Sequence, residues 1–292
     1  MTSARRPPIY FSDDEALTPA ARPILTDLRA RNLDHRWVLA WRSSQAFALN
    51  LFAGLSDGAL RSVIGTCTGL DPSELADFGI EFEWTDTVDR LAESSSARPH
   101  RTQVDVRLDA TTHTGQRVVV LVEVKFTELD FGGCSAFDSP DNPATDVCAQ
   151  HGVFGGEPDR CFQLSNHGHG RRRYDQHLSV YDIVDAKVVG AGCWVRSSLS
   201  QPMRNLALAN ALLADGETDL VAFVVCAPRG HQVIWRRFNE FQHVFVDTDR
   251  CSITALPAES VAGLHHDGGA DLARRYPDPI LTLDRTRPLA QG

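Results

Sequence analysis

Apolar residues recur with a helical period over residues 45–55, where Phe47, Leu51 and Leu55 stand four apart and Ala46, Leu49 and Phe52 fill the adjacent stripe. Ser43-Ser44 precedes that stripe, so a serine N-cap opens the predicted helix. Ser56-Asp57 caps a second short helix through Ile64, and the Ala/Leu/Arg-rich stretch from Asp13 to Leu33, broken at Pro23, predicts one or two more. The period then falls to two. Residues 80–84, 103–108 and 118–126 read as strands, and the polar link 111–116, with Gly115, suits a hairpin. Between Glu128 and Arg160 no periodicity survives, and an unpatterned stretch of that length is usually functional or stapled. Order returns at residues 201–214, a helix with a broad apolar face of Met203, Leu206, Leu208, Ala211 and Leu212, ended by Asp215-Gly216. A buried strand follows over 220–227, with further helices expected near 235–243 and 270–276.

Helix, three strands, insert, helix, strand is the order of an α/β fold around a small central mixed sheet. The expected organisation is an N-terminal helical extension over 1–42 and a core over 43–227 with an insert at about 128–200. A helical C-terminal segment over 228–292 packs on that core. The longest apolar runs, 118–122 and 220–227, fall well short of the ~20 residues that span a bilayer. Residues 1–8 lack the apolar stretch of a secretory signal, so a cytoplasmic protein with no membrane partner is expected.

Composition narrows the function classes. Hydrophobic residues at 42% and charged residues at 23% are ordinary globular values, which excludes disordered, collagen-like and coiled-coil chains. A net charge of −9 means that any nucleic-acid contact must rest on a local basic patch. Seven cysteines, an odd number, argue for reduced thiols rather than a disulfide framework. Only two of the 29 basic residues are lysines, Lys125 and Lys187. In a chain so biased to arginine, a lysine suggests chemistry that arginine cannot perform. P-loop, H-E-x-x-H and G-x-G-x-x-G patterns are absent, which removes most NTPase, zincin and dinucleotide readings.

Lys125 lies where chemistry would be expected. Val119, Leu121, Glu123 and Lys125 share one face of the third strand, because side chains alternate. Burying either charge there without a partner would be costly. If the hairpin pairs Ala110 with residue 117 or 118, Asp105 falls opposite Val122 or Glu123. Asp109 falls about 13 Å further along, at ~3.3 Å per residue. Two carboxylates beside an open backbone carbonyl make a hard-oxygen site suited to Mg²⁺ or Mn²⁺, and an adjacent ammonium completes the equipment of phosphodiester hydrolysis. The bland alternative is a Glu123–Lys125 ion pair solvated at a strand end.

Asp105…Glu123-Val124-Lys125 resembles the active-site signature of the PD-(D/E)XK nuclease superfamily, whose restriction-endonuclease-like core has the order αβββαβ. Ser43-Ser44-Gln45-Ala46-Phe47-Ala48-Leu49-Asn50 and Gln201-Pro202-Met203-Arg204-Asn205 are similar to segments of a bacterial family of restriction-endonuclease-like proteins within it. The resemblance implies a hydrolase that cleaves DNA by in-line attack of a metal-activated water. It assigns Asp105, Glu123 and the Val124 carbonyl to the metal, Lys125 to the attacking water and the phosphate, and Gln201 to support. The glutamate that such enzymes often carry on the first core helix is replaced here by Gln45 and Asn50, so that helper is missing or comes from Glu81 or Glu83. Site-specific cutters are often homodimers, although no dimer helix stands out.

Two further features belong to the insert. Cys134, Cys148 and Cys161, with His151, His167 or His169 nearby, could hold Zn²⁺, or an iron–sulfur cluster if a fourth thiol were present. The alternative is ordinary reduced cysteines, as expected for Cys67, Cys193, Cys226 and Cys251. Arg171-Arg172-Arg173-Tyr174 is the one strongly basic run and a candidate for phosphate contact and base stacking, against the reading of a solvated charge run. The competing function is a non-catalytic binding protein that keeps the fold and recognises its partner through the cysteine insert.

Overall fold

In the computed structural model, which describes residues 11–94, 101–151, 158–166, 170–178, 193–245 and 247–276, one five-stranded sheet carries the architecture. Strands β1 (Leu75–Thr85), β2 (Gln103–Thr112) and β3 (Arg117–Val124) form an antiparallel meander. A two-residue ribbon, β4 (Ser165–Asn166) with β5 (Gly170–Arg171), lies in the insert. Strands β6 (Leu220–Ala227) and β7 (Cys251–Pro257) then extend the sheet in parallel, giving the order β1-β2-β3-β6-β7.

β3 and β6 are central and apolar along nearly their whole length, as strands covered on both faces must be. Val118, Val120, Val122 and Val124 pack into one layer, with α2 (Ala21–Ala30), α3 (Ser44–Phe52) and α4 (Asp57–Thr68), preceded by the short α1 (Asp13–Ala16). Val119 and Leu121 face the other layer. There they meet the insert, with α5 (Thr145–His151) and α6 (Tyr174–Leu178), the short α7 (Val195–Ser198), and the longer α8 (Ser200–Ala214) and α9 (Gln232–Val244). α10 (Ala258–Ala262) and α11 (Ala270–Arg275) return to the first layer. Helices on both faces of a mixed sheet make the restriction-endonuclease-like α/β architecture. Its core order runs through α3, β1, β2, β3, α8 and β6.

The caps are those the sequence indicates. Ser43 Oγ accepts from Ala46 N at 3.1 Å and opens α3, and Ser56 Oγ accepts from Ala59 N at 3.3 Å and opens α4. α4 ends on Gly69 at φ +78°, a left-handed position that glycine adopts without steric cost. Three departures from the expected elements are informative. β1 begins five residues earlier than the predicted strand. Residues 251–257, expected within a helical segment, form the edge strand β7. The alternation of buried Cys251 and Ile253 with half-exposed Ser252 and Thr254 is the period-two signal that makes them a strand. The insert is held by apolar burial: Phe131, Leu164, Tyr174, Trp194 and Val195 join the same core cluster as α8 and α9.

Candidate active site

The β2–β3 ladder pairs Val106 with Val122 and Arg107 with Leu121, so its next step sets Asp105 across from Glu123, while Asp109 pairs with Val119. Parallel pairing with β6 continues past the strand end, where Lys125 N donates to Cys226 O at 2.8 Å. The sequence-predicted residues meet there. Lys125 Nζ is 2.9 Å from Glu123 Oε1 and donates to Gln201 Oε1 at 2.7 Å. Asn205 Nδ2 donates to Glu123 Oε2 at 2.8 Å. Gln201 and Asn205 stand one turn apart on α8, so one helix face grips both members of the pair. Val124 N donates to Asp105 Oδ2 at 2.6 Å, a charge-assisted bond that fixes the carboxylate at the strand end. Glu123 and Lys125 are only 1% and 7% exposed, whereas Asp105 keeps some access to solvent.

The first core helix contributes through an amide. Gln45 Nε2 donates to Glu83 Oε1 at 2.7 Å. Glu83 lies between Phe82 and Trp84, which pair with Val106 and Val104, so it flanks Asp105 in the β1–β2 ladder. Its φ of +53° breaks the strand's alternation and leaves Phe82 and Glu83 consecutively buried. A non-glycine residue in that region is strained, and such strain concentrates at functional sites. Of the two helper glutamates named from sequence, Glu83 is therefore the inward one. Glu81 pairs with Arg31 at 3.3 Å on the surface.

Electrostatics set this cluster apart. Burial pushes the Asp105 carboxyl well above its ordinary pKa, and the neighbouring Glu123 and Glu83 carboxylates add to it. Burial raises Glu83 to about 7 against the opposing hydrogen bond from Gln45, with Glu123 adding to the rise. Burial would lower the Lys125 pKa, but Glu123, Asp105 and Glu128 outweigh it and hold the ammonium above its ordinary value. Glu128, which sequence reasoning passed over, is half-buried and accepts from the amides of Phe126 (2.9 Å) and Thr127 (3.0 Å); against the opposing effect of burial, Lys125, a Ser44 hydrogen bond and the Phe126 amide hold it below its ordinary value. Negative charge thus exceeds positive charge at the strand end. Asn205 was legible only as part of a resembling segment; its four-residue spacing from Gln201 is the signal that could have singled it out.

The donor set is one of hard oxygens, the type Mg²⁺ and Mn²⁺ prefer, and the buried Asn205 Oδ1 has no hydrogen-bond partner among the described residues. An uncompensated carboxylate cluster beside an orphaned acceptor fits a cation with its waters. Among the described residues no group of three or more His, Cys, Asp or Glu side chains is already gathered at ion-holding distances. Here Lys125 occupies Glu123 Oε1 and the Val124 amide occupies Asp105 Oδ2.

A family model described as "Restriction Endonuclease associating with ARP" matches residues 17–276. The chain belongs to this REase-ARP family. No curated protein and no solved structure matches it. Membership of a restriction-endonuclease family suggests a nuclease and implies nucleic-acid binding. Among the described residues no helix is long and apolar enough to cross a membrane.

Elsewhere in the chain the other sequence candidates fare differently. Tyr174 is a correction: it is 1% exposed and its hydroxyl donates to Glu93 Oε1, so it cannot stack on a base. Arg171 is held by both oxygens of Asp175 at 2.8 and 2.7 Å, one helical turn away, and the buried Arg172 Nε has no partner among the described residues. Only Arg173 of the run is exposed. Cys134, Cys148 and Cys161 line a space of about 10 Å³ together with Cys193, expected from sequence as a core residue, but among the described residues they do not form a group that could hold a metal ion. Cys134 Sγ donates to Gln163 Oε1 at 3.1 Å. The side chain of His151, and His167 and His169 entirely, lie outside the described residues. Cys67, Cys226 and Cys251 are buried as expected. Gly54-Leu55-Ser56-Asp57-Gly58 has the spacing of a serine-hydrolase elbow, but it links two helices and its serine hydroxyl caps α4.

Proposed function

We propose that this chain is a metal-dependent nuclease that hydrolyses phosphodiester bonds in DNA. The observation that carries this reading is the single hydrogen-bonded cluster of Asp105, Glu123, Lys125 and Gln201 at the end of β3, in a chain of the restriction-endonuclease family. Asp105 and Glu123 would hold Mg²⁺ or Mn²⁺, with the Val124 carbonyl as a further ligand and Glu83 as a third acid at its edge. The ion, when bound, supplies Lewis acidity to the phosphate oxygens and lowers the pKa of water.

The chain's own residues do the rest. Asn205 and Gln201 hold Glu123 and Lys125 in fixed rotamers. The Lys125 ammonium presents its remaining protons to the phosphate oxygens, where negative charge grows as water attacks in line and the opposite P–O bond breaks. Lys125 also orients the attacking water. Arginine would not offer the same compact point charge.

The test is cleavage of supercoiled and linear DNA with Mg²⁺ or Mn²⁺, comparing wild type with Lys125→Ala. Metal-dependent cutting by wild type alone is the expected result, and cutting of the circle makes the enzyme an endonuclease. If wild type and variant behave alike, the reading fails and a non-catalytic binding protein takes its place.

A further inference from the structure

Resting on the nuclease reading, we infer that residues 36–42 form the surface that grips a nucleic-acid strand beside the site, with Arg36 and Arg42 on phosphates and Trp37 stacked on an unpaired base. The segment is Arg36-Trp37-Val38-Leu39-Ala40-Trp41-Arg42, an arginine–tryptophan pair at each end. Its entry is sewn to the carboxylate cluster by one side chain. Gln45 Nε2 donates to Leu33 O at 3.0 Å and to Glu83 Oε1 at 2.7 Å, while Gln45 Oε1 accepts from His35 N at 2.8 Å. Its exit is tied to the turn after Lys125, where Thr127 Oγ1 donates to Arg42 O at 3.3 Å.

Between these ties the segment is a run of tight turns, with Val38 N donating to His35 O, Ala40 N to Trp37 O and Ser43 N to Ala40 O, each at 2.9 Å. Buried Val38 pins it to the core. The outward side chains are therefore displayed on a fixed backbone, which limits the ordering entropy lost on binding.

What they display suits a nucleic-acid strand. Arg36 lies over Trp37 at 4.3 Å and Arg42 over Trp41 at 4.8 Å. Arg36, Trp37 and Arg42 are exposed, Trp37 by 45%. Among the described residues no carboxylate forms an ion pair with Arg36 or Arg42, whereas Arg22, Arg29, Arg31, Arg90, Arg107 and Arg117 each have one. In a chain of net charge −9 phosphate must be met by a local group of cations, and two exposed ones stand here. The segment's neighbours add exposed apolar surface: Phe11, whose amide donates to Leu39 O at 3.0 Å, and Leu129, two residues beyond Thr127 and 70% exposed. Guanidinium groups alternating with aromatic faces are the equipment by which proteins hold single strands without reading sequence.

The experiment is fluorescence anisotropy with labelled single-stranded and duplex oligonucleotides in EDTA, using the full chain. Arg36→Ala/Arg42→Ala should weaken binding of both ligands and flatten the dependence of log K on log salt by about one to two phosphate contacts. Trp37→Ala should lower single-strand affinity by about 5- to 100-fold and duplex affinity much less. Matching melting curves for the three proteins show that the fold is intact. Wild-type affinity in these variants, or a loss confined to the control Arg173→Ala, overturns the inference. DNA cutting by wild type tests the other reading separately. Cutting with no effect at 36–42 removes only this surface, and weakened binding without any cutting removes only the nuclease.

Discussion

β2 carries two aspartates on one face, four residues apart, and their surroundings are opposite. Around Asp109 cations are plentiful. Arg107 Nε lies 3.0 Å from both its oxygens, Arg107 Nη2 reaches Glu217 at 2.9 Å, and Arg90 joins Glu217 to Asp86 and to Asp215, the last at 2.9 Å. Around Asp105 the acids outnumber the bases: Glu83 and Glu123 raise its pKa, and Lys125 is the one cation opposing them. The first network is closed by folding. The second holds more acids than bases, a surplus that bound protons or a cation must balance, and its cation is one of the two lysines in the chain. Arginine forks suit fixed, bidentate structural pairs; a compact ammonium suits a site where charge moves.

The widest separation should be in activity. Asp105→Asn should lower the initial rate of DNA cleavage by at least ~10²-fold, the loss typical of removing one electrostatic contact in a transition state, whereas Asp109→Asn should leave it unchanged. Lys125→Arg should be as damaging as Lys125→Ala, and near-normal cutting by the arginine variant would refute the distinction between the two networks. Stability should show the reverse order. Arg90 is 9% exposed and bonded to three carboxylates, so Arg90→Ala should cost about 3–5 kcal/mol in urea unfolding. That variant should still cut DNA at temperatures where it remains folded.

A smaller effect concerns pH. The folded Glu83 pKa of about 7 lies above its ordinary 4.5, so the folded state binds the proton more tightly than the unfolded chain. The resulting stability is complete below pH 4.5 and is lost as pH rises toward 7. In EDTA, Glu83→Gln should therefore flatten the decline in stability across that window, as read by thermal melting at closely spaced pH values. Smallest of all, Asp109→Asn should cost about 0–1 kcal/mol, since its side chain is 43% exposed.

What was legible in the sequence was whatever depends on local period and register. The serine caps fix where α3 and α4 begin, and the alternation in β3 with the hairpin length narrows the partner of Asp105 to Val122 or Glu123; the ladder selects Glu123, since a slip of one residue would turn every side chain to the other face. β7 was missed although its alternation was present, because its neighbours read as helix. Glu83 could be named but not chosen, since nothing in Phe82-Glu83-Trp84 announces a left-handed backbone. Arg171–Arg173 misled for the opposite reason: a run of charge is conspicuous, while the carboxylate that neutralises Arg171 depends on a helical turn forming at Asp175. Cys193 lies 32 residues beyond Cys161, too far for spacing to connect them.

The grip of α8 on the site has a consequence for the chain's synthesis. Glu123 and Lys125 are oriented by residues about 80 positions later, across a parallel crossover, and such contacts form late because a long loop must close first. Translation delivers β1–β3 well before Asn205 leaves the ribosome. A partly made chain therefore carries the acids and the lysine without their alignment. On the proposed nuclease reading, competence to cut would therefore arise only once α8 has docked.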